Sequence, residues 1–175
     1  MSRPVIPNHG SERELLVAFL DYYRELLIDK ASGLTDEQLH TPLPPSDLTL
    51  GGLINHMAVV EDDWFVGDIA GRELPEPWAS APWDEDRDWE LTTASEVPTE
   101  ELFRRYRDAI ARSNEILAGV DDLDQMSART DRNGDPWSVR WIMIHMIEET
   151  ARHCGHADLI RESLDGSKGN FRSSG

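Results

Sequence analysis

Four stretches of this chain repeat apolar residues at helical spacing, and none alternates as a half-buried strand does. That pattern limits the fold more than any other feature. The first stretch covers about residues 11–31. It opens on "SERE", a capping box in which Ser11 caps and Glu14 reaches back. Leu15, Leu16, Phe19, Tyr23, Leu26 and Leu27 form its apolar face, and Gly33 ends it. The turn-rich linker "TPLPPSD" follows. A second helix is expected from about Thr49 to Ala70, with Leu50, Leu53, Ile54, Met57, Val60, Trp64 and Ile69 inward and Gly71 as its stop. The third opens at "PTEE", with Thr99 as cap, and carries Leu102, Tyr106, Ile110 and Leu117. The fourth opens near "PWS", with Pro136 early and Ser138 as cap, and runs to about Leu164 before the "DG" at 165–166. No internal repeat and no strand pair stand out. The expected class is all-α, a four-helix bundle.

The connection between helices two and three, about residues 71–98, is long for a bundle, where about 2–8 residues are usual. It can span the length of a bundle, which lets those helices run parallel. It holds Trp78, Trp83 and Trp89 among prolines and acids. A strap packed over the bundle is the expected role, and a wall of a ligand pocket is compatible with it.

The 175 residues suit a single domain with a real core, and the tail "SKGNFRSSG" from about residue 167 reads as flexible. A hydrophobic share of 39% with six tryptophans excludes a disordered chain. A formal net charge of −17 repels phosphate backbones and argues against nucleic acid as a partner. The start "MSRPVIPNHG" lacks the apolar core of a signal peptide. No stretch reaches the roughly 18 apolar residues of a membrane span. The lone cysteine, Cys154, makes no internal disulfide. A cytoplasmic protein with no membrane partner is expected.

Within the fourth helix, "HMIEETARHCGH" gathers three histidines and two glutamates in residues 145–156. On a wheel of about 100° per residue with His145 at zero, Glu149 falls near 40°, His153 near 80° and His156 near 20°. Cys154 falls near 180°, on the opposite side, and reads as a small buried hydrophobe. Glu149 and His153, four residues apart, can reach one ion. Neither H-E-x-x-H nor H-x-x-E-H occurs, so a zinc protease is a poor reading. A catalytic metal site usually takes three protein ligands and keeps a position open. The third must come from another helix. Of the remaining histidines, His9 lies in the N-terminal arm, His40 in the linker and His56 in helix two, in "LINHMAVVE".

The segments "LGGLINHMAVVEDDWF" at 50–65 and "PWSVRWIMIHMIEETARHCGHADLIRESLDG" at 136–166 resemble the DinB-like superfamily of metal-binding four-helix bundles. They are closer still to its DUF664 branch, related to mycothiol-dependent enzymes. The resemblance implies a histidine in helix two and two ligands one turn apart in helix four: His56, Glu149 and His153. Glu at position 149 is as in the mycothiol-dependent maleylpyruvate isomerase type. The implied ion is zinc, with nickel, iron or manganese as alternatives. Two neutral imidazoles and one carboxylate leave one net positive charge on a divalent ion, a Lewis acid able to lower the pKa of a bound water or thiol. His156 and His145 do not match the ligand positions. Each is a candidate for moving a proton or holding a ligand, against a purely structural role. Arg152, near −20° on the wheel, is a candidate clamp for a substrate carboxylate, against a solvated surface arginine. Trp64 reads as core, and Glu61 is left without a role.

On this resemblance the leading function is a metal-dependent S-transferase for a low-molecular-weight thiol such as mycothiol, acting on electrophilic small molecules. A thiol-dependent isomerase is a variant. A metal-dependent hydrolase and a non-enzymatic metal-binding stress-response module are the alternatives. Relatives often dimerise, so a homodimer is compatible with the resemblance.

Overall fold

Helix α1 (Glu12–Ala31) begins where the capping box puts it. In the computed structural model, which describes residues 4–168, the Ser11 side chain accepts from the Glu14 N–H and the Ser11 N–H donates back to Glu14. The tail expected to be flexible lies, from residue 169 on, outside the described residues. The inward face differs from the sequence expectation. Leu20 and Arg24 are buried, whereas Phe19 is on the exposed side. Arg24 turns inward because Glu61 meets it there, with Nε and Nη2 donating to the two carboxylate oxygens at 2.7 and 2.6 Å.

A short helix α2 (Asp36–Leu39), capped by Thr35, precedes the turn-rich linker. Thr49 then caps α3 (Leu50–Glu61) through its side chain. Helix α3 runs straight into a π-helix over Asp62–Ile69. Its looser turns include the Ala70 N–H to Phe65 carbonyl bond. Within it Asp62 and the whole run from Phe65 to Ile69 are buried. Val60 and Trp64, expected in the core, are only half-buried. Gly71, at φ 63°, ends the helix in a conformation that suits glycine.

The long connection is built from a 3₁₀ turn at Trp78–Ser80, a helix α4 (Trp89–Thr92) and a second 3₁₀ turn at Ala94–Glu96. It is a packed strap. The Trp78 indole donates to Asp62 at 2.9 Å, and Trp83 donates to the Trp78 carbonyl at 3.0 Å. Both rings meet Trp89 edge to face. Helix α5 (Thr99–Ala118) has Pro98, not Thr99, at its cap. The Thr99 hydroxyl is used instead to bind α2, donating to Asp36 at 2.6 Å.

A strand pair is present where none was expected. Strand β1 (Met126–Thr130) pairs antiparallel with β2 (Pro136–Ser138). Gly134 takes φ 90° in the turn, and Asp131 accepts from the N–H groups of Asn133 and Asp135. Only one of the five β1 side chains is buried, so no alternation marks the strand in the sequence. Pro136 belongs to β2 rather than to the last helix. Ser138 caps α6 (Val139–Asp165) as expected, and Gly166 follows in the left-handed conformation.

The fold is therefore mostly helical, with one small sheet. Side-chain contacts fix the helix directions. The pairs Asn55–Arg105 and Asp62–Arg112 advance together, so α3 and α5 run parallel. Glu12–Arg140, Tyr23–Cys154 and Lys30–Asp158 advance together as well, so α1 and α6 run parallel. Helix α6 opposes α3: His56 meets His153, while Trp64 meets Trp141. The core between them takes Leu20 and Leu27 from α1, Leu53 and Met57 from α3, Leu102 and Tyr106 from α5, and Ile142 and Met146 from α6. No helix among the described residues is long and apolar enough to cross a membrane.

Candidate metal centre

The antiparallel seam of α3 and α6 brings His56, Glu149 and His153 together. Each offers one ligand atom, and the three atoms lie within 4.8 Å of one another. Both imidazoles turn the same nitrogen to the carboxylate. His153 Nε2 is 2.9 Å from Glu149 Oε1, and His56 Nε2 is 3.7 Å from the same oxygen. The two rings stand edge to face, 5.0 Å between centroids.

The other imidazole nitrogens are also engaged. His56 Nδ1 lies 2.7 Å from Glu90 Oε1, and His153 Nδ1 lies 3.3 Å from His156 Nδ1. With those outer nitrogens engaged, both Nε2 atoms face Glu149, where a bound cation would take the place of the His153–Glu149 hydrogen bond. Glu149 and His153 are buried, and His56 is half-buried. Burial, reinforced by the neighbouring His56, pushes the His153 pKa down to about 4. That imidazole is neutral at pH 7 and carries a lone pair. Burial pushes the Glu149 carboxyl up, but hydrogen bonds from Arg152 and His153 outweigh it and hold the group below its ordinary value. Two imidazoles and an ionised carboxylate, brought together in a largely buried seam, fit a divalent ion.

The remaining expected residues fall around this trio. Arg152 donates Nη2 to Glu149 Oε2, so its guanidinium already holds the carboxylate; its side chain is 53% exposed. His145 lies one turn before Glu149 in an aromatic group. Its ring stacks on Trp141 at 5.2 Å and meets Trp64 at 4.8 Å, and both tryptophans touch Trp137. Trp141 is 46% exposed and Ile144 53%, so this group opens to solvent beside the trio. Cys154 faces α1 as the wheel requires, its thiol donating to the Tyr23 carbonyl at 3.3 Å. Burial, with Asp158 nearby, raises that thiol to about 12, so it stays protonated.

Glu61 and Glu90 had no assignment from sequence. Glu61 is fully buried and neutralised by Arg24. Glu90 is brought to His56 by the strap, a pairing across 34 residues that no local spacing announces.

None of the curated proteins compared matches this chain. A solved structure described as the crystal structure of the conserved protein of locus from Enterococcus faecalis superposes with a TM-score of 0.67 at 18% identity. The match covers 91% of this chain and 100% of that one, and at such identity it speaks for the fold alone. Residues 15–166 match the family described as mycothiol-S-transferase, a span that runs from α1 through α6 and holds the whole His56, Glu149 and His153 trio. Over so much of its length, with the DinB-like sequence segments inside the matched span, the chain belongs to the mycothiol-S-transferase family.

Proposed function

We propose that this protein is a divalent-metal-dependent S-transferase of the DinB-like four-helix-bundle type. It would join a low-molecular-weight thiol, mycothiol in the first instance, to electrophilic small molecules. The observation that carries this reading is the convergence of His56 Nε2, His153 Nε2 and Glu149 on one point of a buried seam, in a member of the mycothiol-S-transferase family. His56, Glu149 and His153 would hold the ion, which is zinc on this reading. When bound, the ion supplies a Lewis acid that favours a thiolate over a thiol at neutral pH.

The chain's own residues do the rest. Arg152 orients Glu149 with one nitrogen, and its half-exposed guanidinium keeps other N–H donors for an anionic group on a substrate. His156, whose Nδ1 lies 3.3 Å from His153 Nδ1, would exchange a proton at the edge of the seam. His145 and the tryptophans around it offer an apolar surface to the electrophile.

The test is cobalt substitution followed by thiol titration. The cobalt spectrum should change on adding mycothiol, and turnover of an electrophile should require the thiol. A cobalt spectrum indifferent to every thiol, with turnover that consumes only water, would replace this reading with a hydrolase.

A further inference from the structure

The strap reaches into the metal centre through one carboxylate. Glu90 lies in α4, only 4% exposed, and places Oε1 at 2.7 Å from His56 Nδ1. Its Oε2 is buried with no hydrogen-bond partner. The preceding residue on α3 holds the same strap residue by its backbone: the Asn55 side chain donates to the Glu90 carbonyl at 2.7 Å and accepts from Arg105 at 3.2 Å. Two consecutive residues of α3 thus grip Glu90, one by its main chain and one by its side chain.

We propose that Glu90 is a positioning residue for the metal centre: it fixes His56 with the proton on Nδ1, aims Nε2 at Glu149 and His153, and couples the order of the strap to occupation of the site by a divalent cation. This rests on the metal reading of the trio. A carboxylate only accepts, so the His56 Nδ1 facing it must donate, and the lone pair is left on Nε2. A buried carboxylate with one orphaned oxygen is costly. A cation on the far side of the imidazole polarises its N–H and offsets part of that cost. Linkage makes the effect mutual: the bond that tightens the cation is itself tightened by it. Helix α4 has four residues, too few to stand without such tertiary anchors.

The experiment uses the full chain, with zinc affinity read by chelator competition. Glu90→Leu keeps bulk and removes the acceptor, and it should weaken zinc by about 10–100-fold. Glu90→Gln keeps a neutral acceptor and should recover part of that loss. In the wild type, amide hydrogen exchange across residues 89–96 should slow on adding zinc, and Glu90→Leu should abolish the difference. Wild-type zinc affinity in Glu90→Leu, while His56→Ala loses zinc, overturns the proposal and leaves the metal reading intact. Exchange across 89–96 that ignores zinc in the wild type overturns the coupling without need of any variant. A wild type that binds neither zinc, nickel nor cobalt overturns the metal reading and the proposal together.

Discussion

Two buried polar clusters lie along the same π-extended helix, and they are closed in different ways. At Glu61 the charge is settled internally. Arg24 takes both oxygens, and its remaining Nη1 finds Asp21 at 2.9 Å and Asn114 at 3.0 Å. Five residues earlier, His56 lies between two carboxylates, Glu90 and Glu149, and among the described residues no Arg or Lys pairs with Glu90. Arg152 holds the outer oxygen of Glu149 from the solvent side. A buried carboxylate answered by a fork of guanidinium donors is complete as it stands. One flanked by two imidazoles offers, on the proposed reading, the ligand set for a cation. The identity of the partner, not the burial of the acid, separates scaffold from chemistry.

The largest effect should come from breaking the closed cluster. Arg24→Ala leaves Glu61 buried and unpaired, which should cost about 3–5 kcal/mol, read by urea denaturation. In the open cluster the same kind of cut should act on metal rather than on folding. Glu149→Ala should drop zinc content to background, while the stability of the zinc-free chain moves by no more than about 1 kcal/mol. A large loss of stability there would erase the distinction between the clusters. His56→Ala should also release zinc, and full retention would end the three-ligand assignment.

His156→Gln should keep zinc under saturating metal while turnover falls about 10–100-fold. Complete loss of zinc at saturation would make His156 a ligand and reopen the set. Asp68 tests the intermediate case, a largely buried acid with only partial relief from Arg129. Burial, with Asp63 beside it, raises its pKa to about 6. The folded value lies above the unfolded one, so its stabilising contribution is full below about pH 4 and is lost as pH rises through about 6. After allowance for solvent this should amount to about 1 kcal/mol, and Asp68→Asn should flatten that part of the stability–pH curve. The smallest change is expected for Cys154→Ser. Zinc content should be unaltered, because the thiol faces Tyr23 and not the trio.

Local pattern made much of this protein readable. The Ser11 capping box, the Thr49 and Ser138 caps and the glycine stops are decided by groups within a few residues of one another, and the helix ends follow them. The i,i+4 spacing of Glu149 and His153 is likewise a property of one helix, and the resemblance of two segments added His56 from another. The hairpin escaped notice because β1 is short and nearly all exposed. The inward face of α1 departs from its periodicity at Phe19, because periodicity assumes that charge stays outside and Arg24 is buried instead, while Trp64 packs against the core only half-buried.

What the sequence by itself determined is where helices start and stop and which side chains share a face, because those depend on neighbours in the chain. Only the tertiary structure decided that Arg24 would be buried, that Glu61 would be closed by Arg24 while Glu149 faces His56 across the seam, and that Glu90 would reach His56 from the strap. Each of those outcomes joins residues more than thirty positions apart. Distant groups meet only when the helices pack, and it is their meeting that fixes whether a buried acid is closed by a guanidinium or set among imidazoles.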